Sequence, residues 1–277
     1  MKKAALVAVL LAGAFLILSM ENFSSWGDIE SPASRHISRY FIEKSYEDTH
    51  TPNFVTAVLA DYRGFDTMLE TVVVFTAALA CFLIVRLPSD VCKPGLFYYR
   101  HASTGLVVRR RQACALPDEG GAFERVDSDW PPHDVVVTTT CRMIIPFIQL
   151  YALYVLAHGH YSPGGGFQGG VIFAASYVLL AVSHDLRTLV NQLTERFTHL
   201  LAAAGVLVYF GTGLLGLAKG ANFLDYDAVA DIMGVSLASG HSLGILFVET
   251  GVAMTVTAAL VIIFKLLSSR GAVTEGL

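Results

Sequence analysis

Charged side chains are scarce in this sequence. Asp, Glu, Lys and Arg make up 15% of the 277 residues, 54% are hydrophobic, and the mean hydropathy is +0.55. Ordinary soluble domains carry about 25% charged residues. The shortage excludes a typical soluble domain and indicates a chain that is largely solvated by lipid.

Cysteine is also sparse, with Cys81, Cys92, Cys114 and Cys141 as its only instances. They form no CxxC pair, and no histidine stands at metal-ligand spacing from them. We therefore predict reduced, structural cysteines and no resident metal.

Long hydrophobic runs, in contrast, are plentiful. About 20 helical residues cross the core of a bilayer, and six runs approach that length. The first should be retained as a membrane helix, because the following LSMENF is a poor signal-peptide cleavage site. We predict an all-α, polytopic membrane protein with about six transmembrane helices. The runs are Ala4–Met20, Thr67–Val85, Val135–Ala157, Gly166–Ser183, Thr198–Leu217 and Gly240–Leu267.

The charges between these runs predict an orientation. Loops rich in Lys and Arg stay in the cytoplasm. With Lys2 and Lys3 inside, the Arg-rich loop after the second run is also inside, and the acidic segments fall outside. We expect a multi-pass protein of the cell inner (cytoplasmic) membrane with both termini in the cytoplasm.

A polar stretch divides the chain. We predict three parts: a two-helix module over residues 1–87, a cytoplasmic linker over residues 88–133, and a four-helix domain over residues 134–277. Within the linker, GLVVRRR alternates enough to form a short strand, and the remainder is typical of irregular surface.

Two acids stand at the start of the second run. Asp66 and Glu70 are four residues apart, so a helix places both on one face, about 6 Å apart along its axis. Such a pair can share a proton, bind a cation such as a transient Na⁺, or use Arg63 as a counter-ion. The alternative is that both simply face interfacial water.

Glu249 is more deeply placed. It stands nine residues into the last run, about 13 Å below the surface. An ionised carboxylate at that depth costs about 3 kcal/mol or more unless it is paired or solvated. We predict a proton-relay member or half of an ion pair with another subunit.

The stretch HGHYSPGGGFQGGV, from His158 to Val171, separates the third and fourth runs. A phosphate-binding loop would need a Lys followed by Ser or Thr, which is missing here. Ser162 and Pro163 are good residues to start a helix, because Ser162 can accept from its free N–H groups and Pro163 fits its first turn. The glycines let a neighbouring helix approach closely, and His158 and His160 can border a proton route. The predicted helix-packing motif comprises Pro163, Gly164, Gly165, Gly166, Phe167, Gly169 and Gly170.

These motifs resemble a known family. RMIIPFIQLYALYVL, HGHYSPGGGFQGGVIFAA and HSLGILFVETGVAMTV are similar to the B subunit of Mrp-type (multi-subunit) cation/proton antiporters, from Asp134 to about Leu267. Upstream, the stretch containing GFDTMLE resembles the small module that ends the A subunit. The same module is a separate small subunit of membrane-bound hydrogenases.

The resemblance implies a fusion of that module with a B subunit inside a hetero-oligomeric complex related to respiratory complex I. The paired acids of the A-subunit module match Asp66 and Glu70, and the Pro and Phe of the B subunit's glycine-rich motif match Pro163 and Phe167. The implied partners are large antiporter-like subunits, small membrane subunits and lipid, with hydrogenase or dehydrogenase subunits left open and no nucleic acid. No cofactor and no catalytic centre are expected.

Three functions therefore stand as hypotheses. The first is a non-redox subunit that contributes to the Na⁺/H⁺ path and to assembly of an antiporter or a respiratory complex containing an Mrp-like module. The second is a purely structural linker between larger ion-translocating subunits. The third is the membrane anchor of a redox enzyme.

Overall fold

The computed structural model describes most of the chain. Within the described residues, ten α-helices and three strands are present. The described ranges are 2–86, 94–101, 103–112, 123–125, 135–162, 164–184, 186–269 and 271. The helices are α1 (Lys2–Ser19), α2 (Arg39–Thr49), α3 (Phe54–Thr56), α4 (Gly64–Val85), α5 (Val135–Ala157), α6 (Gly166–Ser183), α7 (Leu186–Gln192), α8 (Glu195–Ala218), α9 (Asp227–Met233) and α10 (Leu237–Ser268).

Five helices are long and apolar enough to cross a membrane: α4, α5, α6, α8 and α10. Each coincides with a predicted run within three residues at either end. Helix α1 supplies a shorter apolar stretch, Leu6–Ser19. The prediction of an all-α, polytopic membrane protein is confirmed.

The chain forms two compact units, Met1–Asp48 and Thr49–Leu277. In the first unit, a π-helical segment, Ala33–Ser38, continues directly into α2. Surface ion pairs one turn apart stabilise α2, with Arg39 Nε at 2.8 Å from Glu43 Oε1. The predicted division at residues 87 and 134 stays a prediction.

A small antiparallel sheet lies in the polar stretch. Its strands are β1 (Pro94–His101), β2 (Val107–Gln112) and β3 (Phe123–Arg125), in the order β2-β1-β3. The prediction of a strand in GLVVRRR is confirmed. The prediction of irregular surface is wrong for the other two strands, because the aromatic residues of LFYY favour a strand and a turn with Gly105 at φ +68° closes the hairpin.

Helix α10 forms the centre of the second unit. It packs against α4, α5, α6, α8 and α9. In its apolar 18-residue stretch, 67% of the residues are buried, against 17% in the corresponding stretches of α4 and α5. Close approach to α8 depends on small residues, since a Cβ on Gly251 would lie 2.6 Å from the carbonyl oxygen of Gly205. This central position decides which ionisable groups are enclosed.

Two buried tyrosines fix the segment before α4 to the later helices. Tyr209 Oη donates to the Gly64 carbonyl at 2.6 Å, and Tyr226 Oη donates to the Ala60 carbonyl at 2.7 Å. Burial raises the pKa of Tyr226 well above its ordinary value of 10.0, so its hydroxyl keeps its proton and remains a donor. Ala60 lies inside the π-helical segment Ala57–Tyr62, and Gly64 begins α4.

Candidate functional site

Glu249 lies near the middle of the central helix, with 9% of its surface exposed. No described residue forms a hydrogen bond or an ion pair with its carboxylate. A buried carboxylate without a donor is costly, and natural proteins keep such groups where a proton or a cation is handled. Glu249 is therefore the centre of the candidate site.

The glycine-rich motif encloses this carboxylate. A Cβ on Gly159 or Gly165 would overlap the Glu249 carboxylate, and a Cβ on Gly166 would overlap the Glu249 backbone carbonyl. The next two glycines serve helix packing, because a Cβ on Gly169 or Gly170 would press against carbonyl oxygens of α5 and α10 at 3.0 and 2.9 Å. The predicted motif thus has two parts, one around Glu249 and one between helices.

The start of α6 differs from the prediction. The helix begins at Gly166, and the Gln168 side chain accepts from the backbone N–H of Gly165 at 3.1 Å. The hydroxyl of Ser162 donates to the Gly164 carbonyl at 3.1 Å, so the prediction that Ser162 accepts from the helix is wrong. The reason is that the helix begins only at Gly166, after the extended residue Gly165, so Ser162 lies too early to cap it. Pro163 lies outside the described residues.

Residues from the upstream segment fasten this loop. Asn53 Nδ2 donates to the Gly159 carbonyl at 2.9 Å and also to the Ser162 carbonyl. Thr56 Oγ1 donates to the same Gly159 carbonyl at 2.7 Å, and the Asn53 N–H donates to the His160 carbonyl at 3.2 Å. The glycine loop is thereby held in one shape by a part of the chain about a hundred residues away.

A cavity of about 60 Å³ lies against Glu249. Its walls come from three directions: Thr56, Leu59 and Ala60 before α4, Gly165 to Gln168 at the start of α6, and α10 itself. Such a volume admits a few water-sized molecules. The carboxylate consequently has a small, mostly apolar space beside it in which a proton carrier can sit.

The acidic pair on α4 has different surroundings. Asp66 and Glu70 are both exposed, and Asp66 Oδ2 lies 2.6 Å from Arg63 Nη2. The Arg63 counter-ion was one of the predicted outcomes for this pair.

The two histidines of the loop, His158 and His160, flank Gly159, one of the glycines that lie against the Glu249 carboxylate. His158 is exposed, with its ring stacked on Tyr154 at 4.1 Å and Nδ1 3.0 Å from the Tyr154 carbonyl. His160 is half-buried, and burial lowers its pKa from the ordinary 6.5, with the charge of His158 lowering it further. His160 therefore favours the neutral state.

A second ionisable cluster was missed by the sequence reasoning. His241 Nδ1 lies 2.9 Å from Asp61 Oδ2, and His241 Nε2 lies 3.0 Å from Asp227 Oδ1. Asp61 lies 180 residues from His241 in the sequence, so no local pattern indicates that they meet. The spacing of eight residues between His241 and Glu249, about 12 Å along one helix, was the signal available.

Charged groups also meet at the other end of the membrane-spanning helices. Arg86, just after α4, forms an ion pair with Glu195 at the start of α8, and Lys265 Nζ donates to the Leu193 carbonyl. The guanidinium of Arg86 lies 4.9 Å from the centre of the Phe82 ring. Each of these two cations therefore has a specific partner within the chain.

No group of three or more His, Cys, Asp or Glu with metal-binding geometry is found among the described residues. A transient Na⁺ near Asp66 and Glu70 stays a prediction.

The fold and the buried acid define a polytopic membrane subunit with ionisable groups inside its helix bundle. A family model described as a domain related to the MnhB subunit of Na⁺/H⁺ antiporter matches residues 136–262. A second model, described as the E subunit of MBH, matches residues 4–90.

Named relatives match the same later half. The B subunit of the Na⁺/H⁺ antiporter of Bacillus subtilis (strain 168) is 33% identical over 130 residues, which is 45% of this chain and 90% of the relative. Putative antiporter subunit mnhB2 of Staphylococcus haemolyticus is 30% identical over 136 residues, covering 49% and 95%. The chain belongs to the family of antiporter B subunits.

Two solved structures share the fold. The membrane-bound sulfane sulfur reductase (MBS), an archaeal respiratory membrane complex, contains a chain with a TM-score of 0.59 and 23% identity, covering 96% of this chain and 97% of that one. The Mrp complex from Dietzia sp. DQ12-45-1b gives a TM-score of 0.51 and 26% identity, covering 94% of this chain and 25% of that one. Both likenesses extend over nearly all of this chain.

Proposed function

We propose that this chain is a non-redox membrane subunit of an Mrp-type cation/proton antiporter, or of a respiratory complex that contains an Mrp-like module. It contributes Glu249 to the Na⁺/H⁺ path and helps to assemble the complex. Its partners are the large antiporter-like subunits and the small membrane subunits. It lies in the cytoplasmic membrane with both termini in the cytoplasm.

The observation that carries this proposal is the Glu249 carboxylate, which lies beside a small cavity and has no partner among the described residues. A chain that needed only to pack would place an apolar residue there, since a buried charge without a partner is destabilising. Instead, Gly159, Gly165 and Gly166 clear the space around it. The arrangement suits an acid that takes up and releases a proton while water or a cation enters the cavity.

The test is Glu249→Gln in the complete complex. Glutamine keeps the size of the side chain and removes the proton exchange. In everted membrane vesicles, sodium-induced collapse of a proton gradient is expected to fall by about tenfold or more, while a native gel shows the complex still assembled. Unchanged exchange by an assembled Glu249→Gln complex would remove Glu249 from the path.

A structural linker is the second candidate, and the two tyrosine hydrogen bonds favour it. Tyr209 and Tyr226 tie the upstream segment to the later helices through Gly64 and Ala60, so the chain physically unites two family modules. Under this alternative, Glu249→Gln leaves exchange intact, whereas Gly165→Leu makes the complex fall apart. The pair of variants separates the two functions.

A further inference from the structure

Three ionisable side chains from separate elements meet beside the first turns of α10. His241 has both ring nitrogens at hydrogen-bonding distance from carboxylates, Asp61 at 2.9 Å and Asp227 at 3.0 Å. Asp61 belongs to the π-helical segment Ala57–Tyr62, and Asp227 begins α9. The histidine ring is mostly buried, with 11% of the side chain exposed.

The donor count of this cluster demands an extra proton. A neutral imidazole has one N–H, and an ionised carboxylate only accepts. Both contacts exist together only when the ring carries two protons or when one of the acids carries one. Among the described residues, no Lys or Arg pairs with Asp61 or Asp227, so the proton is the positive charge that holds the cluster together.

Other titratable groups complete the surroundings. The ring of His50 meets His241 edge to face at 6.0 Å, and that of Tyr226 lies at 5.8 Å. His50 is exposed and has a φ of 53°, a left-handed conformation that few residues other than glycine adopt. Tyr226 uses its hydroxyl on the Ala60 carbonyl and so does not compete for the ring nitrogens. His50 thus lies on the solvent side of the cluster, as does the Asp227 side chain, which is 60% exposed.

We propose that Asp61, His241 and Asp227 form a proton-binding site of this subunit that is separate from Glu249. This site reaches solvent at Asp227 and His50. When the proton leaves, one carboxylate loses its N–H donor. Asp61 directly follows Leu59 and Ala60, which line the Glu249 cavity. Loss of the proton therefore weakens the hold of α10 on one wall of that cavity.

The proton binding stands independently of the role proposed for Glu249, whereas the link to the cavity rests on it. Glu249 lies eight residues along α10, about 12 Å from His241, and it makes no hydrogen bond to the cluster. The two sites communicate through the Ala57–Tyr62 segment, which contacts both. Protonation of the cluster is expected to regulate exchange without being part of the Glu249 step itself.

The first test reads the protonation of His241 directly. The complete complex, with ¹⁵N-labelled histidine in this chain, is titrated in lipid by solid-state NMR. A doubly protonated imidazole signal is expected at neutral pH in the wild type, absent from His241→Gln and retained in His36→Gln, a control at an exposed histidine of the first unit. A His241 whose protonation and nitrogen chemical shifts stay unchanged across the whole titration overturns the proposal.

A milder variant guards against misfolding. The Asp227 side chain is 60% exposed, so Asp227→Asn removes one negative charge with little change in packing. The doubly protonated signal is then expected to disappear about one pH unit lower than in the wild type, because a nearby opposite charge shifts a titration by about that much or more. A titration identical to the wild type overturns the cluster as the proton's holder.

The second test reads the link to transport. The pH profile of Na⁺/H⁺ exchange is compared for wild type, His241→Gln and His36→Gln complexes, each normalised to assembled complex. His241→Gln is expected to lose the step of the profile that follows His241 protonation, and His36→Gln to keep it. A His241→Gln profile that superimposes on the wild type overturns the link. If Glu249→Gln leaves exchange intact, the proposed function fails, while the NMR titration still decides the proton site.

Discussion

The two acidic sites predicted for this chain lie in opposite surroundings. Asp66 and Glu70 are exposed on the outer helix α4, and Arg63 neutralises the first of them. Glu249 is 9% exposed on the central helix and has no partner among the described residues. The surroundings of an exposed acid depend on the lipid, water or protein that covers it, whereas those of a buried acid are set by its own chain. The burial of Glu249 therefore supports the proton-handling role proposed for it from this subunit alone, whereas the same role for the α4 pair would require another chain beside it.

The largest expected effect comes from filling the space around Glu249. In Gly166→Ala, the new Cβ meets the Glu249 backbone carbonyl, which cannot move aside. We expect a loss of about 1–3 kcal/mol of stability, seen as a lower melting temperature of the subunit and less assembled complex.

The matched control is Gly211→Ala in α8, where a Cβ meets nothing within 4 Å. Alanine is the better helix former by about 1 kcal/mol, so this variant should be as stable as the wild type or more so. Equal melting temperatures for Gly166→Ala and Gly211→Ala would mean that the backbone around Gly166 has room for a Cβ after all.

A second effect compares the acids themselves. We expect Glu249→Gln to reduce exchange by about tenfold or more, Glu70→Gln to reduce it by less, and Asp66→Asn least, because Asp66 already has Arg63 beside it. The measurement is the initial rate of sodium-induced proton-gradient collapse at matched complex levels. A Glu70→Gln loss larger than that of Glu249→Gln would reverse the comparison and move the main path to α4.

A smaller effect concerns the hydrogen bond that holds Ala60, one of the residues lining the Glu249 cavity. Tyr226→Phe removes the donor to the buried Ala60 carbonyl and is expected to cost about 1–2 kcal/mol of stability, as for an unsatisfied buried acceptor. Tyr161→Phe, at an exposed tyrosine, is the control and should change the melting temperature little. If both variants melt together, the hydroxyl does not fasten the segment.

The smallest effect is a pH dependence from the glycine loop. The pKa of His160 is lowered in the folded chain from its ordinary 6.5. Between the lower pKa of the folded chain and 6.5, the unfolded chain therefore binds the proton more strongly. The stabilising contribution is present above about pH 6.5 and is lost as the pH falls towards the lower, folded value. His160→Gln should therefore melt with a shallower acid-side decline than His36→Gln, and parallel curves would contradict the assignment.

Much of the fold was readable from composition and run length. Helices α5 and α6 begin and end at the predicted residues, because an apolar run with polar ends has only one way to satisfy its backbone in lipid. The sheet over β1 and β3 was missed, since its short strands lie in a polar stretch with no long apolar pattern. The hydroxyl of Ser162 was misread for a local reason: a good capping residue was present, but the helix began later.

Of the candidate site, Glu249 was predicted because an acid inside an apolar run stands out, and the glycine motif was predicted as a packing device. That the motif encloses Glu249 was not predictable, since Gly159 and Glu249 are ninety residues apart. The Asp61–His241–Asp227 cluster was missed for the same reason. Each member alone resembles an ordinary polar residue at a helix end, and only their meeting gives them a shared proton.

By itself, the sequence determined that this protein lies in a membrane, where its long helices run and to which family it belongs, because hydropathy and motif spacing are properties of neighbouring residues. Tertiary structure alone decided which acids are enclosed. Whether a carboxylate faces a cavity, an arginine or open surroundings depends on which helix lies at the centre of the bundle. That position is set by the packing of α10 against segments distant in the chain, which no local pattern records.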